Sequence, residues 1–419
     1  MLEWMRKHRI TLLFFGGTML YFAANLQRVA IPGAVFNNLQ MQWGLSASQV
    51  TGFGASFMYV YAVAQLFVGL LCDRYTGSRV MFAGGILFIL GGFIFALTDN
   101  YFLLCFGRGM TGLGASAFYL GLVAEAIRYC KKNYSVMISI IVMIGYTGGI
   151  VANAPFSHSV EKIGLRSTLV AAAVFSLVFY LFYLIPYRFV RKAKVRTEVK
   201  FSYKRFWKIM KIRHNWNIFL FSGVNWGLYY AIQTVIGKKY LEDFCNFPTP
   251  KAAMVLSLTS IISAVAGFVY AVSSKKLGNR RRPFCLLTGS MTFCVFLLLT
   301  VLTALNIRNS VPAVLMCALA STSSLSAIVI PRIKETNDSK DTGSAIAFSN
   351  FGAYIYVALF GNMIGSVLNL FTPVIAEGRL IYSRDAYLAV FFLMLLCSAG
   401  VLLWALKIKE TGGKRIFVK

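Results

Sequence analysis

Twelve apolar runs, most of about twenty residues or more, follow one another along this chain with few long polar breaks. A helix needs about 20 apolar residues to cross a hydrocarbon layer roughly 30 Å thick. Inside that layer no water satisfies backbone N–H and C=O groups, so only helices and closed barrels span it. Composition agrees with the helical choice. The chain is 58% apolar, 15% aromatic and only 13% charged, too few charges to solvate the surface of a soluble protein of 419 residues. The spacing predicts an all-α integral membrane protein with spans near 10–36, 47–72, 79–97, 101–128, 134–157, 166–187, 215–237, 251–273, 284–306, 310–331, 342–370 and 386–407.

The net charge of +28 would suit a nucleic-acid binder, but its distribution does not. Most of the 42 lysines and arginines fall in alternate loops, at span ends and in the two tails, and only Arg28 and Arg108 lie well inside a span. That bias places both termini in the cytoplasm, in a plasma or inner membrane, with anionic lipid headgroups as the partner of the surplus charge and no nucleic acid. The basic start, Met1 to Arg9, is followed by an apolar run that contains Asn25, Gln27 and Arg28 and continues too far for a cleavable signal. Eight cysteines are scattered without a Cys-x-x-Cys pair, so neither a disulfide framework nor a zinc site is indicated, and no cofactor is implied.

One connection is long. Tyr187 to Arg213 carries eleven Lys or Arg and a single acid, Glu198. It divides the chain into an N-terminal six-helix bundle over 1–187, a basic cytoplasmic linker over 188–213 and a C-terminal six-helix bundle over 214–419.

Between the second and third spans stands Gly69-Leu-Leu-Cys-Asp-Arg-Tyr-Thr-Gly-Ser-Arg79, a short turn with one acid and two bases. Gly77 is expected to allow the backbone turn. The stretch resembles the loop between helices two and three of the major facilitator superfamily, whose pattern is Gly-x-Leu-x-Asp-Arg-x-Gly-x-Arg. Gly69, Leu71, Asp73, Arg74, Gly77 and Arg79 match, with one extra residue before Gly77. An echo follows between spans eight and nine at Ser274-Lys-Lys-Leu-Gly-Asn-Arg280, where Ser274 stands in the place of Asp73. Loss of that acid predicts a weaker ionic fastening there. The fourth span opens with Arg108-Gly-Met-Thr-Gly112, similar to the superfamily's Arg-x-x-x-Gly motif.

The resemblance implies two pseudo-symmetric six-helix bundles that rock around a central site, reached alternately from either side and lined by spans one, four, seven and ten. It also implies a latch at the cytoplasmic rim, to which Asp73, Arg74, Gly77, Arg79, Glu125 and Arg128 are assigned. Glu125 is seventeen residues beyond Arg108, roughly 25 Å along a helix, and hence near that rim. Gly69, Arg108 and Gly112 are assigned to helix packing, where small residues permit close approach.

The residues themselves point to the substrate. Arg28 lies inside an apolar span, where a charge costs about 2.5–3.5 kcal/mol on insertion scales. Tyr21, Asn25, Arg28 and Pro32 share one helical face, and Pro32 withdraws a hydrogen bond from the Arg28 carbonyl. Tyr61 and Gln65 in span two, and Tyr229 and Gln233 in span seven, are candidate lining residues. Lys238 and Lys239, at the exit of span seven, would draw anions toward the cavity or anchor the helix at the interface. No Asp, Glu, His or Lys is expected to be buried in mid-span, so the cavity is positive and suits an anion. The Arg-Val pair late in span one resembles the organic-anion and organophosphate branches. Those phosphate exchangers carry a second arginine in span seven, where this chain has Tyr229 and Tyr230, which favours a carboxylate-type metabolite.

The expected protein is therefore a monomeric secondary transporter of a small organic anion and not an enzyme, since no nucleophile–base pair falls within the spans. Multidrug efflux and a non-transporting solute sensor are the alternatives.

Overall fold

The computed structural model describes residues 8–130, 133–190, 209–338, 341–376 and 379–416. The basic linker expected over 188–213 lies largely outside them, as does the side chain of Asp73. The chain is almost wholly helical: α1 (Arg9–Ala30), a 3₁₀ turn (Gly33–Val35), α2 (Phe36–Trp43), α3 (Ala47–Tyr75), α4 (Gly77–Leu97), α5 (Tyr101–Tyr129), α6 (Tyr134–Val151), α7 (Ala154–Ile163) and α8 (Leu165–Val190). Then come α9 (Arg213–Ala231), a π turn (Ile232–Ile236), α10 (Gly237–Asp243), α11 (Thr249–Lys276), α12 (Arg282–Ala304), α13 (Val311–Ser321), α14 (Ser326–Thr336), α15 (Thr342–Leu368) and α16 (Arg384–Lys407). A small antiparallel hairpin, β1 (Val374–Ala376) and β2 (Arg379–Ile381), precedes α16.

Ten of the described helical stretches are long and apolar enough to cross a membrane, with α13 and α14 counted together, and eleven if α6 and α7, bent by 44°, form one span. The expected seventh span is α9 continued through the π turn into α10. Its polar residues explain why it is not among the ten: Asn215, Asn225 and Gln233 are buried inside the protein and do not meet lipid. The first expected span, 10–36, is not one helix. Ile31 is extended (φ −116°, ψ 120°), as a residue before proline is pushed to be, and α1 stops at Ala30.

The helices form two compact units. The first comprises residues 1–31 and 56–201 and the second residues 32–55 and 202–419, so the segment 32–55 packs with the later half of the chain.

In the first unit, α4 and α5 meet backbone to backbone. A Cβ added to Gly77 would lie 2.2 Å from the Gly121 carbonyl oxygen, one on Gly114 2.3 Å from that of Gly84, and one on Gly91 2.5 Å from that of Gly107. These are two heptad-spaced glycine rows, 77/84/91 and 107/114/121, facing each other antiparallel. With no side chain between them, the helices approach to a distance at which dispersion is collected from backbone atoms. Helix α8 is tied to α4 by Tyr183, whose hydroxyl donates to the Ser78 carbonyl (2.8 Å), and by Tyr180, which donates to that of Phe82 (2.9 Å). Helix α1 is seated on α6 where Gly145 leaves room for the Tyr21 ring and Gly148 for the Phe22 carbonyl.

In the second unit, Asn225 of α9 donates to the Thr322 carbonyl (2.8 Å) and accepts from the Thr292 hydroxyl (2.6 Å), fixing α9 to α12 at the break between α13 and α14. Gly33 would clash with the Thr234 carbonyl if it carried a Cβ (2.6 Å), so the 3₁₀ turn lies directly on the π turn.

Candidate functional site

Arg28 occupies the last turn of α1 and is buried. Its Nη2 donates to Asn25 Oδ1, and Asn25 Nδ2 donates to the Tyr21 carbonyl (2.9 Å), so three residues of the expected face form a bonded chain while Pro32 falls beyond the helix end. The guanidinium stands 5.9 Å from the Tyr61 ring centroid, and Tyr61 stacks on Phe57. The position differs from the mid-helix depth that the apolar run suggested. Because α1 ends at Ala30, six residues before the expected span does, Arg28 sits at a helix C-terminus, where the aligned peptide dipoles favour a cation by about 0.3–1 kcal/mol.

The carbonyls left over at that helix end are met by Arg108. Its Nη1 and Nη2 donate to the Gln27 and Ile31 carbonyls, each at 3.4 Å, and its guanidinium lies 4.7 Å from the Phe57 ring and 5.6 Å from that of Phe95. Arg108 thus bridges the end of α1 and α5. Gly112 has the same kind of role, since a Cβ there would lie 2.4 Å from the Phe57 carbonyl oxygen. Gly69 does not share it. A Cβ there meets nothing within 4 Å, so close approach is not what this glycine provides.

Gln65, buried on α3, donates to the Ser116 carbonyl at 3.4 Å. Tyr229 and Gln233 belong to the second unit and turn to α11. Tyr229 donates to the Thr259 carbonyl (3.5 Å), while Gln233 donates to the Leu256 carbonyl (3.1 Å) and the Ser260 hydroxyl (2.9 Å) and accepts from Thr259. The polar atoms of Gln233 are therefore spent on a helix–helix staple.

At the hinge, Gly77 does not supply the turn. The residue with positive φ is Thr76 (79°), held by a hydrogen bond between its hydroxyl and that of Ser78 (3.1 Å). Gly77 is needed instead for the approach to Gly121. Glu125 is buried and its Oε1 accepts from the Ser78 N–H (2.6 Å), which caps the N-terminus of α4. Arg74 is exposed and stacks at 5.3 Å on the Tyr75 ring, and Arg128 lies 5.4 Å over the Tyr129 ring. Arg79, half-buried, follows directly on the capped residue.

The sequence model of the Major Facilitator Superfamily matches residues 13–360. The chain belongs to that superfamily. Its likeness to curated relatives is partial: it is 31% identical over 127 residues to an uncharacterized transporter of Buchnera aphidicola subsp. Schizaphis graminum (strain Sg), covering 30% of this chain and 32% of that one. It is 24% identical over 172 residues to the putative transporter SVOPL of Mus musculus, covering 40% and 34%. The chain thus aligns with about a third of the length of each. Among solved structures, a peptide transporter POT in complex with sulfate matches with a TM-score of 0.72 at 13% identity, covering 96% of this chain and 93% of that one. The nucleoside transporter NupG matches at 0.71 and 13%, covering 94% and 98%. At such identities the likeness is one of fold.

In this superfamily member the second hinge is fastened by residues distant in sequence. Gly278 (φ 67°) and Asn279 (φ 60°) make the turn, and Ser274 accepts from Arg281 Nη1 (2.6 Å). The missing acid is replaced from elsewhere: Glu335 at the end of α14 pairs with Arg281 (3.4 Å), and Glu410, beyond α16, accepts from the Arg281 and Arg282 N–H groups at the start of α12. Acids thus reach this hinge from distant sequence. Glu410 lies outside the spans. Burial pushes its carboxyl up, but the N–H groups of Arg281, Gly412, Arg282 and Thr411 outweigh that and hold it below the ordinary value of 4.5.

Sequence reasoning also missed a polar cluster. Lys238, Lys239, Glu242 and Asp243 on α10 are all buried. Lys239 pairs with Asp243 (3.1 Å) and Lys238 with Glu242 (3.7 Å). Neither lysine is therefore a solvent-facing attractor for anions or an interfacial anchor. The i,i+4 spacing of the two lysines and two acids was the available signal.

Proposed function

We propose that this protein is a secondary transporter that carries a small organic anion across the membrane, with Arg28 as the anchor of the substrate. The observation that carries the reading is the placement of Arg28: a buried guanidinium bonded to Asn25 and set over the Tyr61 ring. The helix end, the amide and the ring offset the cost of a charge in an apolar surround, about 2.5–3.5 kcal/mol. An anionic ligand adds to them, since in a poorly screened site its attraction to a guanidinium far exceeds that in water. Asn25 and Tyr61 supply an amide and a phenol beside the charge. The Gln233 staple leaves the first unit as the main contributor. The bias of basic residues toward alternate loops supports a cytoplasmic side for both termini. A carboxylate-type metabolite is the class we assign, and the protein acts as a monomer without chemical conversion of its cargo.

The test is thermal stabilisation of purified wild type, Arg28→Ala and Arg28→Lys by monocarboxylates, dicarboxylates, sugar phosphates, amino acids and lipophilic cations. A ligand at a hundredfold excess over its dissociation constant stabilises by about 2.7 kcal/mol. Stabilisation of the wild type by one anion class, lost in Arg28→Ala and weakened in Arg28→Lys, is the expected pattern. Equal stabilisation of wild type and Arg28→Ala, or a response to cations alone, refutes the reading.

A further inference from the structure

In the second unit, α9 and α12 begin where α14 and α16 finish, and at that end Arg332 of α14 is wholly enclosed, with 0% of its surface exposed. Its Nη2 donates to the Lys409 carbonyl, while Nε and Nη1 are buried without a hydrogen-bond partner. Among the described residues it has no ion-pair partner either. Two acids act on it electrostatically, Glu335 and Glu410, but the oxygens of both are spent elsewhere. Glu335 accepts from Arg281 Nη2 (3.4 Å) and from the Thr411 hydroxyl (2.5 Å). Glu410 accepts from the N–H groups of Arg281 (2.9 Å), Arg282 (2.9 Å) and Thr411 (2.8 Å).

Two further buried nitrogens around Arg332 lack partners: Nε of Arg281, and Nε2 of His214 at the start of α9, on which Arg332 and Lys409 act. Loose packing does not explain these vacant donors. Beside them Asn215 and Asn337 exchange two hydrogen bonds, at 2.9 and 3.0 Å, and join the start of α9 to the end of α14. Arg108, the other wholly buried arginine, has two carbonyls and two aromatic rings around it. Buried polar groups in folded proteins are paired, and a buried charge left without compensation is among the costliest features a core can hold. A water molecule would meet the vacant donors but not the charge, whereas an anion meets both. The enclosure of Arg332 and His214 limits that anion to about the size of a water molecule or little more. Exposed Arg282, Lys334, Lys409 and Lys414 surround the same end of the unit and raise the local concentration of anions.

We propose that the Arg332 guanidinium is the centre of a binding site for a halide-sized monovalent anion, with chloride as the ion to test. Held there, the ion joins the start of α9, the end of α14 and the 408–416 tail. The site is separate from Arg28, which belongs to the first unit, and does not rest on the reading of the cargo as an organic anion.

Scanning fluorimetry of the purified protein tests this, with chloride replacing gluconate at constant ionic strength. In the wild type the melting temperature should rise saturably, by about 5–10 °C at a hundredfold excess of chloride over its dissociation constant. The rise should persist in Arg28→Ala and vanish in Arg332→Gln. Sulfate and inorganic phosphate should not reproduce it. Hydrogen exchange of the wild type gives a second readout that needs no variant: chloride should slow exchange in peptides covering 209–218 and 328–337, by up to about a hundredfold at the same excess, and leave α4 and α5 unchanged. Equal melting temperatures in chloride and gluconate, a rise that survives in Arg332→Gln or is lost in Arg28→Ala, or exchange that does not respond to chloride overturns the proposal. A rise with sulfate or phosphate equal to that with chloride overturns the assignment to a halide-sized ion.

Discussion

Replacing Gly114 with alanine tests the most tightly specified contact in the first unit. The added Cβ would stand 2.3 Å from the Gly84 carbonyl oxygen and 2.5 Å from the Phe88 nitrogen. Carbon and carbonyl oxygen ordinarily approach to about 3.3–3.6 Å, so α4 and α5 must part by about 1 Å. Both atoms in the way are backbone, and no rotamer change relieves the clash. A gap of 0.5–1 Å forfeits roughly a quarter to a half of each dispersion contact along the seam. Set against this is the gain of about 0.5–1 kcal/mol from removing a helical glycine. Overpacking costs of about 1–3 kcal/mol exceed that gain, so Gly114→Ala is destabilising overall. For a unit of this size, the apparent melting temperature in detergent should fall by about 3–8 °C. Gly69→Ala is the contrast: its Cβ meets open space, and the change should be neutral or raise the melting temperature slightly. Scanning fluorimetry of both variants beside the wild type measures this. A Gly114→Ala protein as stable as Gly69→Ala would refute the backbone-contact account of the glycine rows.

Three further outcomes follow from the geometry. Arg108→Lys should destabilise by about 2–3 kcal/mol in the same assay, because one ammonium cannot bridge the Gln27 and Ile31 carbonyls while stacked near Phe57 and Phe95. Glu125→Ala, which uncaps α4 at Ser78, should cost about 1–2 kcal/mol, whereas Glu125→Gln keeps an acceptor and should cost less; equal losses would place the role of Glu125 in its charge and not in the cap. Glu410 is depressed below 4.5 in the folded protein, so its contribution is complete above that pH and is lost as pH falls through the lower native value. Amide exchange at residues 281–285 and 409–416 should therefore accelerate, after intrinsic correction, only below about pH 4.5, and Glu410→Gln should remove that pH dependence.

The order and extent of most helices were legible in the chain because hydrocarbon is a severe solvent: any segment that crosses it must be long, apolar and internally hydrogen-bonded. The hinge and span-four motifs carried the superfamily for a related reason, since their residues sit where helices end or touch. Arg28 was legible as an anomaly, a charge in an apolar run. Where α1 ends was less so, for Ile31 and Pro32 interrupt the helix without interrupting the apolarity. The role of Gly77 was misread because a glycine in a turn reads as a positive φ, whereas the tight spot is the Gly121 carbonyl, which lies on another helix. The glycine rows had a signal, a spacing of seven in two consecutive spans, but only their antiparallel alignment turns it into a contact. The partners of Lys239 and of the second hinge could not be read at all. Asp243 and Lys239 lie one turn apart, yet what buries them comes from residues 34–40 and 380–387, and Glu410 reaches Arg281 from the far end of the chain. Sequence determined which segments enter the membrane and which charges are costly there. The tertiary structure decided which of those charges are paired, because pairing depends on packing between segments distant along the chain.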